Sequence, residues 1–296
     1  KTLMQAIPVL FGQTEKNRGE SITKSFAGNN FTSDWGVRIV GENSELFSPK
    51  GYHTGSVWPL YTGWTALAEY KAGRHVQGFT HFMNNMRVYQ HWALGFIEEV
   101  MHGLEYKPSG VCRHQCWSET MALQPLIEGM AGLDPDAPAG ELNFSPAFPA
   151  HWDSVAVRNI RVGDHFIDLL QIKSNGTIRY HFSKKTPGSL KINFSPYLPE
   201  GTEVITKSLD GKLQRPNPGS PKFSFNLSDT KTIEINTKGG IEILPSVPEP
   251  KPGYESRGFR VLDHRLEKNV YTIELEARTG APETFRVFLN DWKTVK

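Results

Sequence analysis

The chain changes texture near residue 133, and that change limits its fold more than any other feature. Before it, apolar residues recur at helical spacing; after it, they alternate in short runs bounded by turn residues. The expected class is therefore α+β and multidomain. In the first part, helices are predicted over residues 2–11 (bent at Pro8), 19–26, 56–71, 75–93 and 118–131. Pro59 is tolerated in the first turn of its helix, Gly73 and Gly95 mark exits, and Ser118 serves as an N-cap. Two long loops, 29–55 and 103–115, join these helices, and long loops in a compact domain are more often functional than structural.

A proline-rich stretch, 134–152, leads into alternating runs at 155–162, 166–173, 178–182, 190–194, 203–208, 222–226 and 232–235. The turns Ser174-Asn175-Gly176 and Leu209-Asp210-Gly211 suit hairpins, so an antiparallel β-sandwich is expected. Four prolines in 245–253 suggest an extended linker before three last strands at 259–263, 270–277 and 283–289. The expected domains are a helical segment over 1–133, a β-domain over 134–246, and a linker with terminal strands over 247–296 that joins the β-domain.

A net charge of +2 gives no basic surplus for nucleic acid, and no apolar run of 18 or more residues is present to span a bilayer. Cys112 and Cys116 are too few for a disulfide framework or a closed zinc site. His53 and His114 lack a spaced set of further ligands, and Gly239-Gly240 is a turn rather than a phosphate cradle, so no metal or cofactor is expected. No signal peptide is read, and the chain begins with Lys1 rather than methionine, which leaves the compartment open.

Six of the seven tryptophans lie in the first 152 residues, three of them within four motifs that this part of the chain carries. These are Ser33-Asp34-Trp35-Gly36-Val37-Arg38, Tyr52-His53-Thr54-Gly55-Ser56-Val57-Trp58-Pro59, Gly95-Phe96-Ile97-Glu98-Glu99-Val100-Met101-His102-Gly103 and His114-Gln115-Cys116-Trp117-Ser118. Their order and spacing resemble the second half of the (α/α)6 catalytic domain of bacterial glycogen-debranching (amylo-α-1,6-glucosidase-like) enzymes. Mannosylglycerate-hydrolase-like and trehalase-like glycosidases share that scaffold. The run Leu142-Asn143-Phe144-Ser145-Pro146 to Pro149-Ala150-His151-Trp152 is similar to the exit of those proteins into a β-domain. The resemblance implies half of a helical toroid, completed upstream or by a second chain, followed by a β-sandwich. A full ring needs about twice the helices read here, and Lys1 falls in mid-helix, so a fragment of a longer enzyme is expected.

Inverting glycoside hydrolysis needs an acid on the leaving oxygen and a carboxylate roughly 6.5–9.5 Å away that activates water. The resemblance aligns Glu99 with the general base and puts the acid, an aspartate, before Lys1. Glu99 follows a helix exit, opens a long loop and has apolar and aromatic neighbours to shield it. Glu98 is the neighbour that a one-residue shift would substitute for it, and Asp34 is the candidate acid if the chain works alone. An aspartate there could equally bond its own loop backbone. Trp35, Trp58 and Trp117 sit at loop-to-helix junctions beside Arg38, His53 and Gln115, where aromatic faces and planar polar groups could receive a sugar. Tyr52 completes the expected sugar contacts.

The expected function is an inverting glycoside hydrolase acting on an α-glucan or α-gluco-oligosaccharide, with debranching-type α-1,6-glucosidase activity foremost. Another α-glycosidase on the same scaffold (trehalase-, mannosylglycerate- or rhamnosidase-like) remains open. So does a non-catalytic carbohydrate-binding role, which the sandwich suits. The partner in either case is an oligosaccharide or polysaccharide.

Overall fold

Proline at the start and glycine just past the end frame the central helix of the first part of the chain. Among the described residues this region holds α1 (Ala6–Leu10), α2 (Lys16–Ala27), the hairpin β1 (Thr32–Ser33) and β2 (Gly36–Val37), α3 (Pro59–Lys71), α4 (His75–Val88) and α5 (Cys116–Gln124). Pro59 opens α3, where its missing N–H would have had no helical partner, and Gly73 beyond the end takes φ 77°. Nine of its thirteen residues are buried, including Thr62, Glu69 and Tyr70, so α3 is an enclosed helix and not an amphipathic surface one. It packs against α1, α2, α4 and α5. The last of these passes into a π-helical turn, Pro125–Met130, because Pro125 has no N–H with which to continue the α ladder. The computed structural model describes residues 2–92, 95–215, 219–278 and 282–290; Lys1 and the expected helix end at Ala93 lie outside them.

The second texture forms two sheets over one core. Strands β3 (Leu133–Asp136), β4 (Glu141–Phe144), β8 (Leu190–Phe194) and β11 (Phe223–Leu227) form a sheet in the order β11-β8-β4-β3. Strands β5 (Ser154–Val162), β6 (His165–Ser174), β7 (Thr177–Lys184), β9 (Glu203–Leu209), β10 (Lys212–Gln214) and β12 (Thr230–Lys238) form the other, in the order β10-β9-β12-β7-β6-β5. Strict alternation along β7, β8 and β11 sends every second side chain inward. Phe182 of the larger sheet meets Phe194 and Phe225 of the smaller one edge-on, with ring centroids 5.1 and 5.3 Å apart. A single cluster of buried residues, with Ile167, Leu169 and Ile233 from one sheet and Leu142, Ile192 and Leu227 from the other, fills the space between them. Strand β13 (Ile241–Ile243) follows.

Two compact units result: Lys1–Met130 with Pro245–Phe285, and Ala131–Leu244 with Arg286–Lys296. The terminal strands are therefore divided, where the sequence assigned all of 247–296 to the β-domain. Strands β14 (Arg260–Glu267) and β15 (Val270–Glu276) form a hairpin in the first unit, while β16 (Val287–Leu289) pairs with β13 in the second.

The expected toroid is overturned. Five α-helices of 5–14 residues stand against sixteen strands among the described residues, and no (α/α)6 ring is formed. The ring was implied by the order of the motifs, while the helices themselves are few, and residues 95–115, interrupted by Gly95, Gly103, Pro108 and Gly110, add none. That stretch is extended instead: Met101 bridges both Val57 and Pro108, and Val57 in turn bridges Arg38. The sheets depart from a purely antiparallel sandwich as well, because β4 and β8 run parallel.

Candidate functional site

The bridges at Arg38, Val57, Met101 and Pro108 draw three of the four sequence motifs into one irregular ladder. The loop carrying Tyr52 is closed by short backbone bonds, Gly51 N–H to Ser48 O at 2.8 Å and Ser48 N–H to Thr54 O at 3.0 Å. Gly55 is required here, since a Cβ would run into the Ser48 carbonyl. Gly103 N–H then donates to Pro49 O at 2.8 Å, which fixes this loop beside the segment that carries Glu99.

Glu99 is 6% exposed, and the Tyr52 phenol donates a short hydrogen bond to its Oε1. That bond, with burial and the nearby carboxylate charge, pushes the Tyr52 phenol up to about 12. Tyr52 lies edge-on to Trp58 at 4.5 Å and to His53 at 4.6 Å, while His53 and Trp58 are stacked at 5.8 Å with 12° between their planes. Trp58 is held by its indole N–H, which donates to Tyr52 O at 2.9 Å. His53 is exposed, Tyr52 half-buried and Trp58 only 3% exposed, so the imidazole and the phenol meet solvent over a buried indole, with the Tyr52 hydroxyl on the Glu99 carboxylate. Glu98 is 3% exposed, and burial raises its carboxyl above the ordinary range against the opposing charge of Arg113. Its Oε2 has no hydrogen-bond partner among the described residues.

Gln115 and Trp117 lie on the facing segment. Backbone bonds from Gln115 N–H to Ile97 O (3.2 Å) and from Glu99 N–H to Cys112 O (2.9 Å) pair the two stretches. Gln115 is half-buried and Trp117 43% exposed. Neither side chain hydrogen-bonds to the Tyr52–Glu99 pair among the described residues.

Three expected site residues belong to the framework instead. Trp35 is fully buried, packs against Tyr106 at 5.5 Å and donates its indole N–H to His102 O at 3.0 Å, leaving no surface for a sugar. Arg38 is also fully buried, and donates to Gly103 O at 2.6 Å and Asn29 O at 2.9 Å. Burial lowers its guanidinium to about 10. Asp34 is 2% exposed: one oxygen accepts the Arg257 amide at 2.7 Å and the other contacts the Arg260 guanidinium at 2.8 Å. Arg260 is itself 3% exposed and donates to Ser256 Oγ at 2.7 Å. A carboxylate bound on both oxygens in this way closes the fold around the Pro245–Phe285 segment rather than serving as a free acid.

Sequence reasoning missed one further constellation. Glu69 Oε2 lies 2.6 Å from His81 Nδ1, and His81 Nε2 lies 2.9 Å from Thr32 Oγ1, the order of a carboxylate–imidazole–hydroxyl relay. The Thr32 hydroxyl also reaches Phe26 O at 2.5 Å, so its single proton is shared between a backbone carbonyl and the imidazole contact. All three side chains are at most 1% exposed. The chain is a buried structural network. Its members lie 49 and 12 residues apart in sequence, and no local pattern marks them.

No protein-family model and no curated protein matches the chain. Among solved structures it is similar to an α-L-rhamnosidase from Dictyoglumus thermophilum, with 10% identity and a TM-score of 0.50 over 78% of this chain and 25% of that one. It is also similar to a Streptomyces avermitilis α-L-rhamnosidase (9% identity, TM-score 0.42, 77% of this chain and 21% of that one). A third is a GH127 β-L-arabinofuranosidase from Geobacillus stearothermophilus T6 (10%, TM-score 0.35, 97% and 55%). The chain thus spans about half, or less, of the length of these structures. The first likeness gives the chain a glycoside-hydrolase-like fold, and at such identities it is a likeness of fold alone. It does not single out the debranching group.

Proposed function

We propose that the chain is part of a glycoside hydrolase in which Glu99 is the general base. The observation that carries this reading is the Tyr52–Glu99 bond, which anchors a nearly buried carboxylate beside the exposed His53, itself stacked on the buried indole of Trp58. One oxygen held by a phenol fixes the carboxylate's orientation, and the other can take a proton from an attacking water. On this reading the exposed His53 ring, backed by the buried Trp58 indole, receives the C–H-rich side of a pyranose. Gln115 and Trp117 extend the sugar-binding surface from the facing segment.

In the finer reading, the reaction inverts the anomeric centre of an α-glucan or α-gluco-oligosaccharide, with a debranching α-1,6 linkage first among candidates. The likeness to α-L-rhamnosidases favours testing α-L-rhamnosides beside it. Asp34 is not proposed as the partner acid, because the Arg257 amide and the Arg260 guanidinium lie against its two oxygens. On this reading the partner acid is an aspartate on the opposite side of the scissile bond. Glu98, whose burial favours the protonated form, is the lesser alternative to Glu99 and suits an acid better than a base.

The test is a panel of α-1,6- and α-1,4-gluco-oligosaccharides, trehalose and aryl α-L-rhamnosides, presented to the natural protein that contains these residues. The released anomer is read by NMR. Inversion with loss of turnover in Glu99→Gln supports the reading; retention, or hydrolysis that Glu99→Gln leaves intact, overturns it.

A further inference from the structure

The β-unit contains a cavity of about 150 Å³ that none of the reasoning on Glu99 uses. It lies where the β6–β7 turn, the Pro199–Thr202 turn, the end of β12 and strand β16 converge. Its polar wall has a definite hydrogen-bonding character. The hydroxyls of Thr177, Thr202 and Thr237 each donate to a framework oxygen: Asn236 Oδ1 at 2.7 Å, Pro199 O at 2.7 Å and Gly176 O at 3.0 Å. The Asn290 side-chain N–H₂ is likewise engaged, with Gly239 O at 3.1 Å. The three hydroxyl oxygens and the Asn290 amide oxygen remain as acceptors, while the second Asn290 N–H, the Ser174 hydroxyl and the Asn175 amide add donors.

Two charges complete the lining. Lys173 is half-buried and donates to Ala150 O at 3.2 Å, keeping further donors on the same ammonium. Asp153 is exposed and provides carboxylate oxygens beside it. The pair is neutral overall, so neither a free anion nor a free cation meets a surplus of opposite charge. A neutral ligand whose O–H groups both donate and accept matches a wall that carries acceptors and donors together. Phe288, with Ile178 and Leu198, adds apolar surface for C–H groups. As to size, an enclosed cavity of about 150 Å³ in another protein admits benzene, and this one opens to solvent beside the exposed Asp153, Ser174 and Asn175, which leaves room for the hydroxyls of a sugar ring.

We infer that this cavity binds one neutral polyhydroxylated ring of monosaccharide size, as a site separate from Glu99. The inference does not depend on hydrolysis, because it concerns the β-unit alone and is read by binding.

The experiment is titration of the full chain with D-glucose and L-rhamnose, followed by saturation-transfer NMR and calorimetry, with inorganic phosphate as the charged probe. Two variants at exposed positions are compared, Asp153→Ala and Ser174→Trp, after denaturation curves show that each folds as the wild type does. The expected result is saturable binding of at least one sugar but not phosphate. Asp153→Ala should weaken it about three- to tenfold, the loss of one hydrogen bond. Ser174→Trp, which puts an indole against the cavity, should abolish it, and Glu99→Gln should leave it unchanged. Failure of both sugars to saturate, or binding that Ser174→Trp leaves intact, overturns the inference. Sugar binding that Glu99→Gln removes would also overturn it while supporting the catalytic reading, so the two proposals can fail separately.

Discussion

Replacing Asp34 with Asn should be among the most destabilising single changes in the first unit, and the reason is electrostatic. Asp34 and Arg260 are 2% and 3% exposed and 2.8 Å apart, so water can replace neither partner. Asparagine keeps the volume and can still accept the Arg257 amide through its carbonyl oxygen. The change therefore isolates the charge. Leaving a guanidinium buried without its carboxylate costs about 3–5 kcal/mol. With a urea m-value of about 2 kcal/mol/M, the midpoint should fall by about 1.5–2.5 M. Trp35, Trp58, Trp64, Trp92 and Trp117 all lie in the first unit, so tryptophan fluorescence during urea unfolding reports chiefly on it. The double variant Asp34→Asn/Arg260→Met removes both charges and should recover about half of the loss, because an apolar pair has no unpaired ion to bury. A midpoint shift below about 0.5 M, or a double variant no more stable than Asp34→Asn, would refute this assignment and return Asp34 to the list of candidate acids.

Three further outcomes are expected. Tyr52→Phe should cost about 1 kcal/mol by removing the bond to Glu99. Since that phenol is raised from 10.0 to about 12, its stabilising contribution is complete below pH 10 and disappears as pH rises through about 12. Wild type and Tyr52→Phe should thus converge in stability over that window in urea titrations, and parallel curves would count against the bond. Gly63→Ala should destabilise by about 1–3 kcal/mol, since a Cβ on α3 would overlap Met121 of α5 and come within 2.9 Å of its carbonyl oxygen; unchanged unfolding would show that the two helices can separate. Phe194→Ala should cost the β-unit about 3–5 kcal/mol, because the ring contacts Phe144, Phe182 and Tyr180 at the centre of its core; circular dichroism during heating checks this.

Much of the secondary structure was legible, for identifiable reasons. Runs such as Leu190–Phe194 and Phe223–Leu227 have the two-residue period of half-buried strands, and α3 and α4 have proline or glycine at their limits. Strands β3 and β4 were not legible. Pro135 lies within β3, and β4 depends on β8, nearly fifty residues later, as its parallel partner. The toroid failed because helical periodicity reports how a segment coils and not how many segments close a ring. Gly95 as a helix exit and 103–115 as a loop were both read from the sequence, so the ring rested on the motif order alone. At the site, Tyr52 and Glu99 were both singled out, but the bond between them spans 47 residues and no spacing rule contains it. Trp35 and Arg38 show the converse. A tryptophan beside polar residues at a loop junction reads the same whether it faces a sugar or fills a core, and only burial separates the two. The hydrogen bonds of Arg38 to Gly103 O and Asn29 O show how a guanidinium can be framework when its acceptors are distant carbonyls.

The most direct measurement is turnover by Glu99→Gln against wild type, in the natural protein that contains these residues and on the glycoside panel. The role of general base predicts a fall in kcat of about 10²–10⁴-fold with the fold intact, because the amide keeps the Tyr52 bond while losing the ability to take a proton from water. Near-normal turnover by Glu99→Gln, or no hydrolysis of any panel member by the wild type, would contradict it.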